Sequence, residues 1–326
     1  MYYKYLTSKL FKEPIYSLIR IKRKLSHHIG DSLKLMLQPY SQQTYADIVN
    51  QKEIRVIGLR RSGNHAIINW IEKQQPGMVV HLNNIRVNEN PYLCLYESLC
   101  HDSPYYQWSA KKLLRYPLYQ GRAELMKRES RGDFLKKDCL IYSYEDYSPQ
   151  KVFNSYFFKT HDIHFGKSDQ VYDVLILRDP FNMLASRYKR NSLEVKSLKG
   201  WKGLMDMWIL YAKEYLGETQ HLKNNKVCVN YNQWFSDANY RKQLADKLNL
   251  DFTDSGFNDV SVFGGGSSFE KRKFHGKAEN MDVLNRWQQF VDDSSYRTLF
   301  SDAVFEYSER IFGHIPGTES LRTKIH

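Results

Sequence analysis

Residues 53–71 read EIRVIGLRRSGNHAIINWI. Ile54–Leu59 is rich in β-branched residues, which predicts a buried strand. Arg60–Asn64 is short, polar and glycine-containing, which predicts a turn. From His65 to Lys73 the apolar residues Ala66, Ile67, Trp70 and Ile71 recur at helical spacing, and Pro76–Gly77 ends the pattern. A strand that passes through a glycine-bounded loop into a helix is a building unit of a parallel α/β sheet. The same unit can cradle an anion, because its loop N–H groups and its helix N-terminus face one point.

A second such unit lies downstream. Val171–Leu177 (VYDVLIL) is the clearest buried strand of the chain, followed by Arg178-Asp179-Pro180 and a predicted helix at Asn182–Lys189. Asp179 can cap that helix, and Pro180 suits its first turn. Further strands are predicted at Met78–Leu82, Leu140–Tyr144, Tyr156–Thr160 and Lys226–Tyr231. Helices are predicted at 201–223 and near Asn239–Leu248, Met281–Asp292 and Tyr296–Phe312. The alternation predicts an α/β fold: a parallel sheet flanked by helices. Residues 1–50 read as a helical N-terminal extension. Residues 51–326 read as the main domain, with a helical, tyrosine-rich, basic insertion at about 90–135. A linker is expected near residues 40–52, and Phe263–Ser268 is a glycine-rich turn.

The 326 residues, 42% of them apolar, suffice for one sizeable core. A net charge of +12 favours anionic partners without choosing among nucleotides, acidic glycans, nucleic acid and lipid headgroups. The four cysteines, Cys94, Cys100, Cys139 and Cys228, form no CxxC pair and have no histidine at zinc spacing. A disulfide framework and a structural metal are therefore not expected. No stretch approaches the length of a membrane span, and the N-terminus lacks the uninterrupted apolar core of a secretory signal. The expected location is cytoplasmic. In the extension, Leu6, Leu10, Tyr16, Ile19 and Leu25 could form an apolar stripe beside Lys9, Lys12, Arg20, Lys22, Arg23 and Lys24. One reading is a peripheral membrane contact. The other is a helix packed on the domain, which Pro14 favours by interrupting the pattern.

In the first loop, Gly58 and Gly63 have the spacing of the two P-loop glycines. Asn64 and His65 stand where a nucleotide triphosphatase has Lys and Ser or Thr, so an ordinary ATPase or GTPase is disfavoured. What remains is a cradle for a nucleotide without a γ-phosphate, or a plain turn with exposed arginines. In the second loop, Arg178 leaves the strand end where open α/β sheets bind ligands. Ser186 follows about two helical turns later and could share an anion with it.

Together the two loops resemble those of sulfotransferases that use 3′-phosphoadenosine 5′-phosphosulfate (PAPS). Gly58–Gly63 is similar to the family's G-x-[PR]-[RK]-[ST]-G loop, and Arg178–Pro180 with Ser186 to its R-[DN]-P signature with a serine eight residues on. Phe158-Lys159-Thr160-His161 is similar to the Lys-[Ser/Thr]-His segment of cytosolic members. Two weaker echoes are Val227–Asp237, with Asn232 and Gln233 in place of an acidic pair, and the basic segment Lys271–Lys277 with Trp287 beyond it. The resemblance covers about residues 53–290 and leans toward bacterial and carbohydrate-type members.

It implies a P-loop-like fold, PAPS as co-substrate and no metal. It also implies nucleotide contacts from Arg60, Arg61, Ser62, Gly63, Asn64, His65, Arg178, Ser186, Arg272 and Lys273. His161 is implied as the base, with Arg61 and Lys159 stabilising the leaving oxygen, and His65 competes for the base role. Arg60 replaces the family's frequent Pro, Arg61 its common Lys, and Asn64-His65-Ala66 its common Thr-Thr-Trp. An arginine neutralises phosphate but is a poor proton donor. The expected acceptor is a saccharide or glycolipid hydroxyl or an amine, with the aromatic insertion as its surface. No nucleic acid is expected. The rival readings are a P-loop nucleotide kinase and a non-catalytic basic module that binds nucleic acid or membrane.

Overall fold

The computed structural model describes residues 14–37, 47–100, 119–190, 198–261 and 266–322. Chain order runs α1 (Pro14–Leu37), β1 (Ile48–Gly58), α2 (Asn64–Lys73), β2 (Val79–Leu82), α3 (Pro91–Cys100) and α4 (Tyr119–Ser130). It continues with β3 (Lys137–Glu145), α5 (Ser155–Phe165), β4 (Lys167–Leu177), α6 (Pro180–Lys189) and α7 (Leu198–Tyr215). Then come β5 (Val227–Asn230), α8 (Tyr231–Ser236), α9 (Ala238–Lys247), two 3-10 turns (Ala278–Asn280 and Arg286–Phe290) and α10 (Asp302–Phe312).

These elements divide into two compact units. One comprises residues 1–49, 86–136 and 155–168; the other comprises 50–85, 137–154 and 169–326. The N-terminal extension and the insertion thus belong to one unit, together with α5.

The second unit is built on a five-stranded parallel sheet of order β2-β3-β1-β4-β5, flanked by helices. β1 is central, and every residue from Lys52 to Gly58 is buried, as a strand covered on both faces requires. Ile54 and Val56 join Cys139, Ile141, Val174, Ile176, Val227 and Val229 in a core capped by Ile67, Trp70 and Ile71 of α2 and by Trp234 and Leu244. Within the sheet, Arg55 pairs with Asp173 (Nε to Oδ1, 2.6 Å), and the Tyr142 hydroxyl donates to Glu53 (2.6 Å). These buried groups pair with one another, which offsets the cost of burying their charge.

The strands expected at Ile54, Met78, Leu140, Val171 and Lys226 are all present. Tyr156–Thr160 is not a strand; it lies inside helix α5. Its aromatics suggested a strand, yet Phe157, Thr160, Ile163 and His164 are buried at helical spacing. The helix expected near Met281–Asp292 is reduced to the 3-10 turn Arg286–Phe290, and that at Tyr296–Phe312 is interrupted over residues 298–301, between Ser294–Arg297 and α10.

In the first unit α1 is described from Pro14 to Leu37; the expected stripe residues Leu6 and Leu10 lie outside the described residues. The unit also brings donor atoms of His27, Glu89 and Cys94 within 4.8 Å of one another, a cluster that no sequence spacing announced. Cys94 Sγ donates to Glu89 (3.4 Å), and Arg86 pairs with the same carboxylate (3.4 Å), so the Glu89 carboxylate has partners without an ion.

Candidate functional site

The site lies at the carboxyl edge of the sheet in the second unit. β1 ends at Gly58, and the chain turns through Leu59–Gly63 into α2. Ser62 N donates to the Leu59 carbonyl (3.1 Å), which closes the turn. Two glycines are required for steric reasons. A Cβ on Gly58 would lie 2.2 Å from Asn64 Oδ1, and one on Gly63 would lie 2.0 Å from the Tyr231 ring. Gly63 also sits at φ 88°, the left-handed region that glycine tolerates. Arg61 holds a similar positive φ of 73° without that tolerance, a strained conformation typical of functional loops.

Acidic residues at the end of β3 hold the loop in place. Asp146 Oδ1 accepts from Arg60 N (3.0 Å) and from Arg187 Nη2, and Arg187 Nε donates to the Arg60 carbonyl (3.0 Å). Asn64 Nδ2 donates to the Leu59 carbonyl and to Glu145 (both 3.1 Å). The side chain in the Walker-lysine position therefore staples the loop and points no charge at a ligand. His65 Nε2 lies 2.9 Å from Asn83 Oδ1, an oxygen that also accepts from Ser143 Oγ (3.4 Å). An acceptor at that point makes Nε2 the protonated nitrogen and leaves the lone pair on Nδ1.

Arg178 leaves β4 beside this loop and is 2% exposed. Its Nη1 donates to the Arg61 carbonyl (3.2 Å) and to Ser186 Oγ (3.3 Å), its Nη2 donates to the Val283 carbonyl, and its guanidinium lies 4.9 Å from the Tyr231 ring centroid. Among the described residues no carboxylate comes within ion-pair distance of it, and its buried Nε has no hydrogen-bond partner. Trp208 Nε1 holds its carbonyl (2.9 Å). Asp179 caps α6 by accepting from Asn182 N (2.7 Å), and burial raises its carboxyl above the usual range.

Arg286 approaches the same serine: its Nη1 donates to Ser186 Oγ at 3.2 Å. Its Nη2 donates to Ser267 Oγ and Glu270 Oε2 (both 2.8 Å), and its buried Nε is unpartnered. Burial first, and then the Arg178 charge, push the Arg286 guanidinium down to about 10. Arg61, whose Nη1 donates to the Gly266 carbonyl (3.1 Å), is likewise pushed down to about 10, by burial and then by Arg190, with Arg187 and Arg286 adding to the effect. Like charges are crowded here under low solvation, with Glu270 and Glu145 offsetting them only in part.

The second unit therefore brings together Arg60, Arg61, Ser62, Gly63, Asn64, His65, Arg178 and Ser186. Arg272 and Lys273 sit exposed in the turn after the Ser267–Lys271 bridge, and Lys273 Nζ lies 5.7 Å from the Phe274 ring centroid. The residue that reaches Ser186 is Arg286 of the later 3-10 turn, beside Trp287, and sequence reasoning missed it. Glu145 and Asp146 were missed too; the signal was an acidic pair at the end of the Leu140–Tyr144 strand, where site residues gather.

Lys159 and His161 belong to the first unit, on α5. Lys159 is exposed. His161 Nδ1 lies 2.7 Å from Asp162 Oδ1, and its ring packs against Phe157 and Phe165 (centroids 5.7 and 5.5 Å). A helical setting differs from the strand expected for the Lys-Thr-His segment.

No protein-family model matches the chain, and no curated protein matches it. Among solved structures it is similar to a sulfotransferase domain from the curacin biosynthetic pathway (12% identity, 81% of this chain and 98% of that chain, TM-score 0.37). It is also similar to mouse sulfotransferase SULT7A1 complexed with PAP (11% identity, 87% and 90%, TM-score 0.37). A third similar structure is retinol dehydratase in a complex with retinol and PAP (12% identity, 89% and 88%, TM-score 0.36). Likenesses this distant carry no weight for function, which rests on the residues of the site.

Proposed function

We propose that this chain binds PAPS at the loop after β1 and transfers its sulfuryl group to a hydroxyl or amine acceptor. The observation that supports this best is the convergence of two buried arginines, Arg178 and Arg286, on one hydroxyl, Ser186 Oγ, at 3.3 and 3.2 Å. Glu270 pairs with Arg286 alone, so one of the two buried guanidinium charges has no carboxylate partner among the described residues, which favours a further anion. The adjacent loop supplies a second anion cradle. Two phosphate sites in one unit suit a nucleotide phosphorylated at both 3′ and 5′ positions. The orphaned Nε atoms of Arg178 and Arg286 and the orphaned Ser62 Oγ are buried donors that such a ligand would satisfy.

When bound, the donor supplies an electrophilic sulfur and a phosphate leaving group. Arg178, Arg286 and Ser186 would hold the 3′-phosphate. Arg61 and the first-turn N–H groups of α2 would hold the 5′-phosphate and offset charge growing on the bridging oxygen as the S–O bond breaks. As the acceptor oxygen or nitrogen bonds to sulfur, its proton passes to a neutral imidazole. We assign that role to His65 Nδ1, because His65 shares a unit with the cradle and Asn83 sets its tautomer. His161, with Asp162 orienting it, is the alternative. The acceptor in this proposal is a saccharide or glycolipid. The aromatic, basic stretch 91–135 motivates it, although 101–118 lie outside the described residues.

A kinase reading lacks the P-loop lysine, since Asn64 is committed to Leu59 and Glu145. A basic binding module would have no use for a buried Arg178–Ser186–Arg286 cluster.

Calorimetry with 3′-phosphoadenosine 5′-phosphate (PAP) against ADP tests the nucleotide site. PAP should bind more tightly. A charge-assisted hydrogen bond contributes roughly 1.5–3 kcal/mol, so Arg178→Met should weaken PAP by about 10–150-fold and leave ADP nearly unchanged. Equal binding of PAP and ADP by the wild type would sink the proposal. His65→Gln should keep PAP affinity and lose transfer of labelled sulfate to a glycolipid extract. Loss in His161→Ala instead would move the base to α5.

A further inference from the structure

Helix α1 of the first unit is amphipathic in the reverse sense. Its buried positions are polar: among the positions with described burial, only His27 and Asp31 are fully buried. His27 Nε2 meets Glu97 (3.1 Å), and Asp31 accepts from the Tyr156 hydroxyl (2.7 Å) and meets His164 (2.9 Å). His28 Nδ1 bonds the same tyrosine hydroxyl (2.9 Å), and Lys34 donates to the Ser130 carbonyl (2.8 Å).

The opposite face is apolar and exposed: Ile21 39%, Leu25 58%, Ile29 60%, Leu33 54% and Met36 71%. Steps of four, four, four and three residues keep these side chains on one stripe, roughly 22 Å long at 1.5 Å per residue. A helix seated by its polar side and exposing its apolar side is covered by something in use.

We infer that this stripe lies on an anionic membrane surface. The stripe is flanked by exposed Lys22 and half-buried Lys24, and the one carboxylate of α1, Asp31, is buried and bonded. The chain carries a net charge of +12. A second copy docked face to face would bring these same lysines together if the helices ran parallel and leave them without a counter-charge if antiparallel, whereas anionic headgroups would neutralise them. Among the described residues no helix is long and apolar enough to cross a membrane, so α1 lies in the interface plane. Nothing in this depends on which nucleotide the second unit holds.

Cosedimentation of the full chain with phosphatidylcholine vesicles, with and without phosphatidylglycerol, tests the inference. The wild type should partition onto phosphatidylglycerol-containing vesicles and leave them as salt is raised. Leu25→Glu/Ile29→Glu/Leu33→Glu changes only exposed side chains, so it should keep the wild-type melting temperature while its partition coefficient falls at least about tenfold. Lys22→Glu/Lys24→Glu should lose only the part that depends on the anionic lipid. A wild type that stays in the supernatant, or a triple variant that binds like the wild type, overturns the inference. So does light scattering that finds a wild-type dimer and a monomeric triple variant, which would make the occupant a second copy.

Discussion

Gly63→Ala tests the cradle through its backbone. At φ 88° an alanine meets the left-handed penalty of roughly 1–2 kcal/mol. Its Cβ would also lie 2.0 and 2.2 Å from two carbons of the Tyr231 ring, far inside contact distance. That ring cannot swing freely. It is buried, stacks on Trp234 (centroid separation 5.8 Å) and carries Arg178 over its face (4.9 Å). Forcing extra volume into such packing costs roughly 1–3 kcal/mol. The total is about 2–5 kcal/mol, which lowers the melting temperature by about 3–7 °C in a chain of this size.

Displacing Tyr231 also displaces Arg178, so PAP affinity falls in the same variant. Differential scanning calorimetry with and without PAP measures both effects. In the double variant Gly63→Ala/Tyr231→Leu the overlap is relieved but the φ penalty stays, so the coupling between the two changes should be at least about 1 kcal/mol. A Gly63→Ala protein that melts within 1 °C of the wild type and binds PAP normally would refute the reasoning, because the loop could not then hold the conformation described.

Two further outcomes follow from the same structure. Asp146→Ala removes the acceptor shared by Arg60 N and Arg187 Nη2; it should cost about 1–3 kcal/mol of stability in urea titration and weaken PAP binding, whereas Asp138→Ala, far from the loop in sequence and bonded to Met78 N, should leave PAP affinity alone. Burial pushes the Cys139 thiol up to about 12 and the Cys228 thiol up to about 11, so Ellman's reagent at pH 8 should label exposed Cys100 first and Cys139 only after denaturation. Because these thiols stay neutral in the fold and ionise near 9 when unfolded, the stability they contribute is complete below pH 9 and declines as pH rises from 9 toward 11–12. A urea titration at pH 8 and at pH 10.5 checks the sign.

Much of the second unit was readable because its signals are local. A β-branched run, a glycine pair, an Asp-Pro cap and a helical apolar repeat each act within a few residues, so Glu53–Ile71 and Val171–Lys189 declared their elements. The Tyr156–Thr160 reading failed because aromatic residues suit strands and helices alike, and the choice fell to burial of Phe157, Thr160 and Ile163 on one helical face. Arg286 was invisible as a site residue because its partner Ser186 lies 100 residues earlier, and the acidic pair after β3 acts on a loop more than 80 residues before it.

The sequence by itself determined that the loop after Ile57 lacks the lysine and hydroxyl of a Walker nucleotide loop, because the residues that decide this are contiguous. Only the tertiary structure decided which cations complete it. Arg178, Arg286 and Ser186 converge through strand order and loop packing, and no single segment contains their shared burial. The same holds for α1: of the stripe expected from the sequence, only Leu25 belongs to the exposed set Ile21, Leu25, Ile29, Leu33 and Met36, which is turned outward by the polar seat formed by Glu97, Tyr156 and His164.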